Sequence, residues 1–217
     1  MRDVDHPHEH DEGTERIEAF SDGVFAIAIT LLIIEIGVPV LTSDESLSDA
    51  LLGLWPEYGA YVLSFATIGI YWANHNSLFR LFVRADHVFL LLNVLFLMCI
   101  AFVPLPTAVL GEYLDDGAER KTAVAFYTLG LLLPAFGWFC VWLYGSWHGL
   151  VDERLDPGYV RGHTIQYSAS VLIYLLALAV SPFLPYLALA ITVGLTLLYL
   201  LPPRGRRYLA PPDDNRL

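Results

Sequence analysis

The sequence predicts an all-α, polytopic membrane protein with six transmembrane helices and both termini in the cytoplasm. The chain has 217 residues, of which 56% are hydrophobic and only 16% charged, whereas soluble domains contain about 25% charged residues. Six apolar segments of about 20 residues are each long enough to cross a bilayer as a helix. Ten of the 12 Lys and Arg residues fall on the side that holds both termini. The positive-inside rule assigns that side to the cytoplasm.

The six spans follow one another in order, with proline and serine near their boundaries. We predict them at residues 16–38, 55–82, 86–110, 121–144, 162–180 and 184–201. A polar segment after the first span predicts a short helix capped by Ser46 or Ser48. Pro56 suits the first turn of the second span. Pro104 and Pro106 predict a break near the outer end of the third span.

Tails flank the membrane domain in this prediction. Residues 1–14 are predicted to be a disordered cytoplasmic tail, residues 15–203 the six-helix transmembrane domain, and residues 204–217 a second cytoplasmic tail. The first tail is acidic and rich in histidine, the reverse of a signal peptide, so we expect the first span to remain in place. The net charge of −11 argues against nucleic-acid binding. The sequence has no P-loop, HExxH or GxSxG motif, so we expect no enzyme activity, metal site or cofactor.

Polar side chains lie at a similar depth in the cytoplasmic halves of the first three spans. Ser21 and Asp22 belong to the first span, His75 to the second and Asn93 to the third. Ionisable groups within a span are costly and indicate a functional site. A cluster of these four side chains would satisfy their hydrogen bonds and hold three helices together. A proton relay through Asp22 and His75 remains a second interpretation, because a histidine beside a carboxylate titrates near neutral pH.

The first span also has one apolar face. On an ideal helix, Leu31 and Ile34 lie within about 40° of Ile27, and Thr30 about 60° away. Asp22 lies about 140° away, on nearly the opposite face. An aliphatic column of this kind is usually a packed or lipid-facing stripe. The pattern alone therefore leaves both packing and the lining of a pore open.

The run R-x-x-x-F-S-D-G-V-F-A-I-A-I-T-L-L at residues 16–32 resembles the first helix of the transmembrane protein 175 family of potassium channels. The NHNSLF run at residues 74–79, Asn93 and the AFVPLPT run at residues 101–107 support the resemblance. It points in particular to the bacterial branch, whose six-span chains assemble as homotetramers in the plasma membrane. The resemblance implies that the first helices of four subunits line a central pore without a carbonyl-lined selectivity filter.

The resemblance also implies roles for individual residues. Ile27 would form the narrowest constriction, with Leu31 and Ile34 lining wider levels outward. Thr30 would supply the hydroxyl layer linked to potassium preference. The residues that would anchor the first helix are Arg16, Phe20, Ser21, Asp22, His75 and Asn93.

These implications lead us to expect a potassium-permeable, modestly selective cation channel. Its partners would be potassium ions, the lipid bilayer and three further copies of the chain. A ring of isoleucines can gate a pore by excluding water when it is narrow. Two alternatives remain: a proton-coupled secondary transporter that uses Asp22 and His75, and a membrane scaffold that conducts nothing. Strongly pH-dependent coupled flux would favour the transporter, and the absence of flux after a polar substitution at Ile27 would favour the scaffold.

Overall fold

The computed structural model describes residues 12–41 and 46–201, which form a bundle of α-helices without a β-strand. The predictions for residues 1–11 and 204–217 lie outside the described residues. A short 3₁₀ turn, Leu32–Glu35, follows the first helix. The helices are α1 (Glu12–Leu31), α2 (Leu47–Gly53), α3 (Trp55–Phe79), α4 (His87–Phe102), α5 (Pro104–Tyr113), α6 (Arg120–Trp147), α7 (Pro157–Val180) and α8 (Pro185–Leu198).

Local sequence signals account for several helix ends. Ser46 caps α2, where its Oγ accepts a hydrogen bond from the Asp49 amide at 3.2 Å. Pro56 lies in the first turn of α3, and Pro104 begins α5 directly after the break at Val103, as predicted. The start of α1 differs from the prediction, because residues 12–14 are helical and not part of a tail.

Four helical segments in the described part of the chain are long and apolar enough to cross a membrane. They are Thr14–Ile34, His87–Tyr113, Arg120–Trp147 and Pro157–Val180. Helix α8 is apolar but has only 14 residues. Helix α3 has 25 residues, and its length suffices. The polar side chains near its C-terminal end, such as Asn74 and Asn76, lower its hydropathy.

Helix α6 forms the centre of the bundle and packs against α4, α5, α7 and α8. Glycines on α6 permit these close contacts. A Cβ atom at Gly130 would collide with the ring of Pro106 from α5, and one at Gly145 would collide with the ring of Phe82. Small residues let membrane helices approach closely, so that van der Waals packing replaces the missing hydrophobic drive.

The connections at one end of the bundle are fastened to each other. The Val83 amide in the α3–α4 connection donates to the Leu150 carbonyl in the α6–α7 connection at 2.9 Å. Asp86 caps α4 by accepting from the Phe89 amide at 2.8 Å and from the Tyr144 hydroxyl at 2.7 Å. These two hydrogen bonds hold the pKa of Asp86 below its ordinary value. Neighbouring ends of α3, α4, α6 and α7 are thereby fixed on one side of the bundle.

Candidate pore-lining helix and its anchoring cluster

Helix α1 lies at the edge of the bundle and packs one face against α3 and α4. The buried face, counting the 3₁₀ turn, consists of residues that are each at most 9% exposed: Thr14, Ile17, Ser21, Phe25, Ala28 and Leu32. These positions recur at intervals of three or four residues, the period of one face of a helix. The rotation of α1 about its own axis is therefore set by this face.

The opposite face of α1 is apolar and uncovered within the single chain. Ile27, Leu31 and Ile34 are 59%, 52% and 71% exposed. Thr30 lies beside them and is also exposed. The predicted column therefore occupies the face of α1 that its own subunit leaves free. A contiguous apolar face of this kind indicates contact with another protein surface or with the membrane.

The hydroxyl group of Thr30 is oriented by its own helix. Thr30 Oγ1 donates to the carbonyl oxygen of Ala26 at 2.8 Å, with that of Ile27 at 3.1 Å. Threonine in membrane helices often bonds back to the preceding turn in this way. Because its single proton is used within the helix, the oxygen lone pairs remain available on the exposed side. The group can thus act as an acceptor toward a cation.

A buried chain of hydrogen bonds joins α1, α4 and α3. Asn93 Nδ2 donates to Ser21 Oγ at 2.9 Å, and His75 Nε2 lies 3.2 Å from Asn93 Oδ1. All three side chains are at most 1% exposed. Because a carbonyl oxygen only accepts, Nε2 carries the proton in this pair. Three of the four side chains that the sequence grouped by depth are therefore in contact.

Aromatic side chains enclose this chain of hydrogen bonds. The His75 ring lies 4.6 Å from Phe79, 5.4 Å from Trp138, 5.5 Å from Phe25 and 5.9 Å from Phe96, measured between ring centroids. These rings separate the imidazole from bulk solvent. Hydrogen bonds are electrostatically stronger in such a low-dielectric setting, and breaking one is correspondingly costly.

Asp22, the fourth predicted member, has a different partner. Its Oδ1 accepts a hydrogen bond from Trp72 Nε1 at 2.9 Å, on the more exposed side of the α1–α3 contact. No hydrogen bond links Asp22 to His75 within the described residues. Trp72 lies three residues before His75 on the same face of α3, so a helical wheel of α3 contained the signal for this pair.

Arg16 and Phe20, which were also predicted to anchor the first helix, lie outside the buried cluster, and their anchoring role stays a prediction. Both are exposed, Phe20 by 56%, and Arg16 forms no hydrogen bond or ion pair in the part of the chain that the structure describes. On an ideal helix both lie about 20° from Ile27. They share the uncovered face of α1, so any anchoring contact they make lies outside the described part of one chain.

A second polar link joins α1 to α3, and the sequence did not reveal it. Asn76 Nδ2 donates to Glu18 Oε1 at 3.0 Å, and Arg80 Nη2 donates to Asn76 Oδ1 at 3.2 Å. Asn76 thus bridges an acidic and a basic side chain near the start of α1. Its position four residues after Trp72 places it along the same contact with α1.

Comparisons with known proteins show the family to which the chain belongs. The family model "Endosomal/lysosomal potassium channel TMEM175" matches residues 16–104. A potassium channel of Chamaesiphon minutus is 40% identical over 191 residues, covering 87% of this chain and 94% of that protein. The chain belongs to the TMEM175 family. It is accordingly a multi-pass membrane protein.

Other TMEM175 proteins extend the comparison. A potassium channel of Streptomyces collinus is 44% identical over 160 residues, covering 73% of this chain and 78% of that protein. The crystal structure of a lysosomal potassium-selective channel TMEM175 homolog from Chamaesiphon minutus aligns with a TM-score of 0.75 at 38% identity, covering 90% of this chain and all of that one. An endosomal/lysosomal proton channel TMEM175 of Gallus gallus is 34% identical, with 66% of this chain matching 30% of that protein.

We expect Ser21→Ala and Asn93→Ala each to lower the free energy of unfolding in detergent. The double variant should lose less than the sum of the two, with a coupling energy of about 0.5–1.5 kcal/mol, because both changes remove the same buried hydrogen bond. As a control, Ser168→Ala removes a hydroxyl that bonds its own helix at 2.8 Å. It should combine additively with Asn93→Ala, and additive losses for Ser21 and Asn93 would contradict the proposed coupling.

Proposed function

We propose that four copies of this chain form a potassium-permeable, modestly selective cation channel in the bacterial plasma membrane. The central pore is lined by α1 and its 3₁₀ turn. The observation that carries the proposal is the uncovered apolar face of α1, held in a fixed rotation by buried hydrogen bonds on its opposite face. The names of the bacterial relatives and the potassium-selective homolog with a similar structure support the assignment to potassium.

A symmetric tetramer gives the exposed face of α1 a role. Around a fourfold axis, the equivalent side chains of the four copies face the axis at the same height. Ile27 then forms a hydrophobic ring, with Leu31 and Ile34 forming rings further outward. Such a ring blocks ions by excluding water when it is narrow and admits them when it widens.

The proposed topology has six spans, with α3 and α8 completing the set, and both termini in the cytoplasm. The described basic residues on the proposed cytoplasmic side are Arg16, Arg80, Arg84, Arg154 and Arg161. Arg120 and Lys121, at the start of α6, lie on the other side. The hydrogen bonds between the α3–α4 and α6–α7 connections support this grouping, because they bring those ends together. The asymmetry in basic residues then assigns that side to the cytoplasm.

Proton permeation is the second candidate function, because animal relatives are named proton channels. A relay that passes directly between Asp22 and His75 is not favoured by the geometry. Asp22 bonds Trp72, whereas His75 bonds Asn93 and lies within an aromatic enclosure. Nothing in the described structure specifically favours a scaffold without conduction.

We expect Ile27→Asn to raise potassium flux from liposomes loaded with the purified protein. Four asparagine side chains around the axis keep the constriction hydrated, which lowers the barrier to ion permeation. Lowering that barrier by about 1.4 kcal/mol raises flux about tenfold. The matched control is Ile165→Asn, which makes the same change at an exposed position of α7. Unchanged flux with Ile27→Asn, or an equal rise with the control, would show that Ile27 does not form the constriction.

Thr30→Ala should reduce the preference for potassium over sodium, because it removes the outward-facing hydroxyl oxygen. The expected loss is about fivefold in the permeability ratio, which corresponds to about 1 kcal/mol for one oxygen–ion contact. Thr30→Ser keeps the hydroxyl and should keep the ratio. Reversal potentials under potassium and sodium gradients measure it. Equal ratios for the alanine variant and the wild type would exclude Thr30 as the selectivity layer.

Asp22→Asn and Trp72→Phe distinguish an anchoring role of Asp22 from proton transport. Asparagine keeps an acceptor for the Trp72 indole and should preserve potassium flux and the thermal stability of the tetramer. Phenylalanine removes the donor and should lower both, because α1 loses one of its fixed contacts. If Asp22→Asn abolished flux while the tetramer stayed folded, the carboxylate charge itself would be required for flux. That result would favour the transporter interpretation.

A further inference from the structure

A small cavity lies between α3, α4, α6, α7 and the end of α8. It offers about 40 Å³ to the centres of water molecules, whereas one water needs about 10–15 Å³. No residue of α1 lines it, so it is separate from the exposed face of that helix. Its walls are largely aromatic and aliphatic. The polar side chains among its lining residues include Tyr71, Asn74, His75, Ser170, Tyr174 and Tyr199.

The His75 ring lines this cavity and carries a polar atom that the protein leaves unsatisfied. His75 is 1% exposed, and its Nδ1 has no hydrogen-bond partner among the described residues. Because Nε2–H donates to Asn93, the neutral ring holds its lone pair on Nδ1 and requires a donor there. More than nine in ten buried polar groups in proteins find a partner in protein or ordered water.

Asn74, another lining residue, leaves an acceptor unused. Its Nδ2 donates to the carbonyl oxygens of Ile70 and Tyr199, both at 2.9 Å. Both amide protons are therefore used, and Oδ1 accepts no hydrogen bond from the described residues. A water molecule has two protons to donate. His75 Nδ1 and Asn74 Oδ1 are two acceptors on consecutive residues of α3 that line one cavity.

We propose that this cavity is a binding site for ordered water, and that one water donates to His75 Nδ1. That water donates its second proton to Asn74 Oδ1 or to another oxygen of the lining. Where the water bonds Asn74, the site extends the buried chain Ser21–Asn93–His75 to the end of α8. Asn74, on α3, donates to the carbonyl oxygen of Tyr199, the residue that follows α8. The buried face of α1 is thereby linked to the end of α8 in the same subunit. The site requires no conduction, so its test uses stability and structure and is independent of the channel proposal.

Filling the cavity distinguishes a water site from a dry void. Ala135 lines the cavity from α6, and Ala135→Val places two more carbons in it. If the space is dry, the larger side chain should raise the Tm of the detergent-solubilised protein. If it holds water bound to His75, displacement leaves Nδ1 without a donor, and the Tm should fall by about 2–6 °C. Ala190→Val, at an exposed position of α8, controls for the substitution itself.

The His75→Phe background separates lost water from simple overpacking. Phenylalanine has no Nδ1, so Ala135→Val should be less harmful there than in the wild type, or stabilising. An equal fall in the Tm in both backgrounds would indicate overpacking and would overturn the proposal. A rise in the Tm when Ala135→Val is introduced into the otherwise unchanged chain would overturn it too. The direct measurement is a density map from a high-resolution experimental structure of the wild-type protein. We expect a peak about 2.7–3.2 Å from His75 Nδ1; well-defined His75 and Asn74 side chains without such a peak would overturn the proposal even if His75→Phe failed to fold.

Discussion

The amide side chain of Asn93 is the constraint on which the arrangement of α1 depends. From α4 it donates to Ser21 on α1 and accepts from His75 on α3, so a single group fixes three helices. Within a bilayer no solvent is available to replace these bonds if a helix turns. A rotation of α1 by one residue, about 100°, would break the contact with Ser21. The contact thereby keeps Ile27 on the uncovered side.

The rest of the bundle makes this constraint rigid. Helix α6 contributes Trp138 to the aromatic enclosure of His75, and its glycines seat the rings of Pro106 and Phe82. A close-packed interior of this kind responds to strain by small shifts of whole elements. Two residues of the 3₁₀ turn that follows α1, Ile33 and Ile34, are 55% and 71% exposed, whereas Ser21 is fully buried. A change in the diameter of the proposed pore is therefore easier at that turn than at Ser21.

Hydrophobicity and helical geometry were sufficient to predict much of this structure. They gave the helices, the cap at Ser46 and the division of α1 into two faces. The similar depth of Ser21, His75 and Asn93 in their spans was sufficient to predict that they lie together. Depth could not give the partner of Asp22, because Trp72 and His75 lie about one turn apart on the same face of α3, and depth alone does not say which of them Asp22 bonds. The exposure of Phe20 could be read from the wheel, about 20° from Ile27. The motif resemblance instead grouped Phe20 with its buried neighbours.

The backbone of α1 limits how the proposed pore can discriminate between ions. In a regular helix the carbonyl oxygens accept hydrogen bonds from the following turn, so they cannot form the cage of carbonyls that replaces an ion's hydration shell. Only side chains face the axis. The exposed column offers aliphatic groups and one oxygen, that of Thr30, whose proton is already used within the helix. In the proposed pore, ions would therefore pass Ile27 with much of their water, and a preference for potassium would have to come from the cost of removing the remainder. Such a preference would be modest, and it would depend on the rotation of α1 that Asn93 and its partners hold in place.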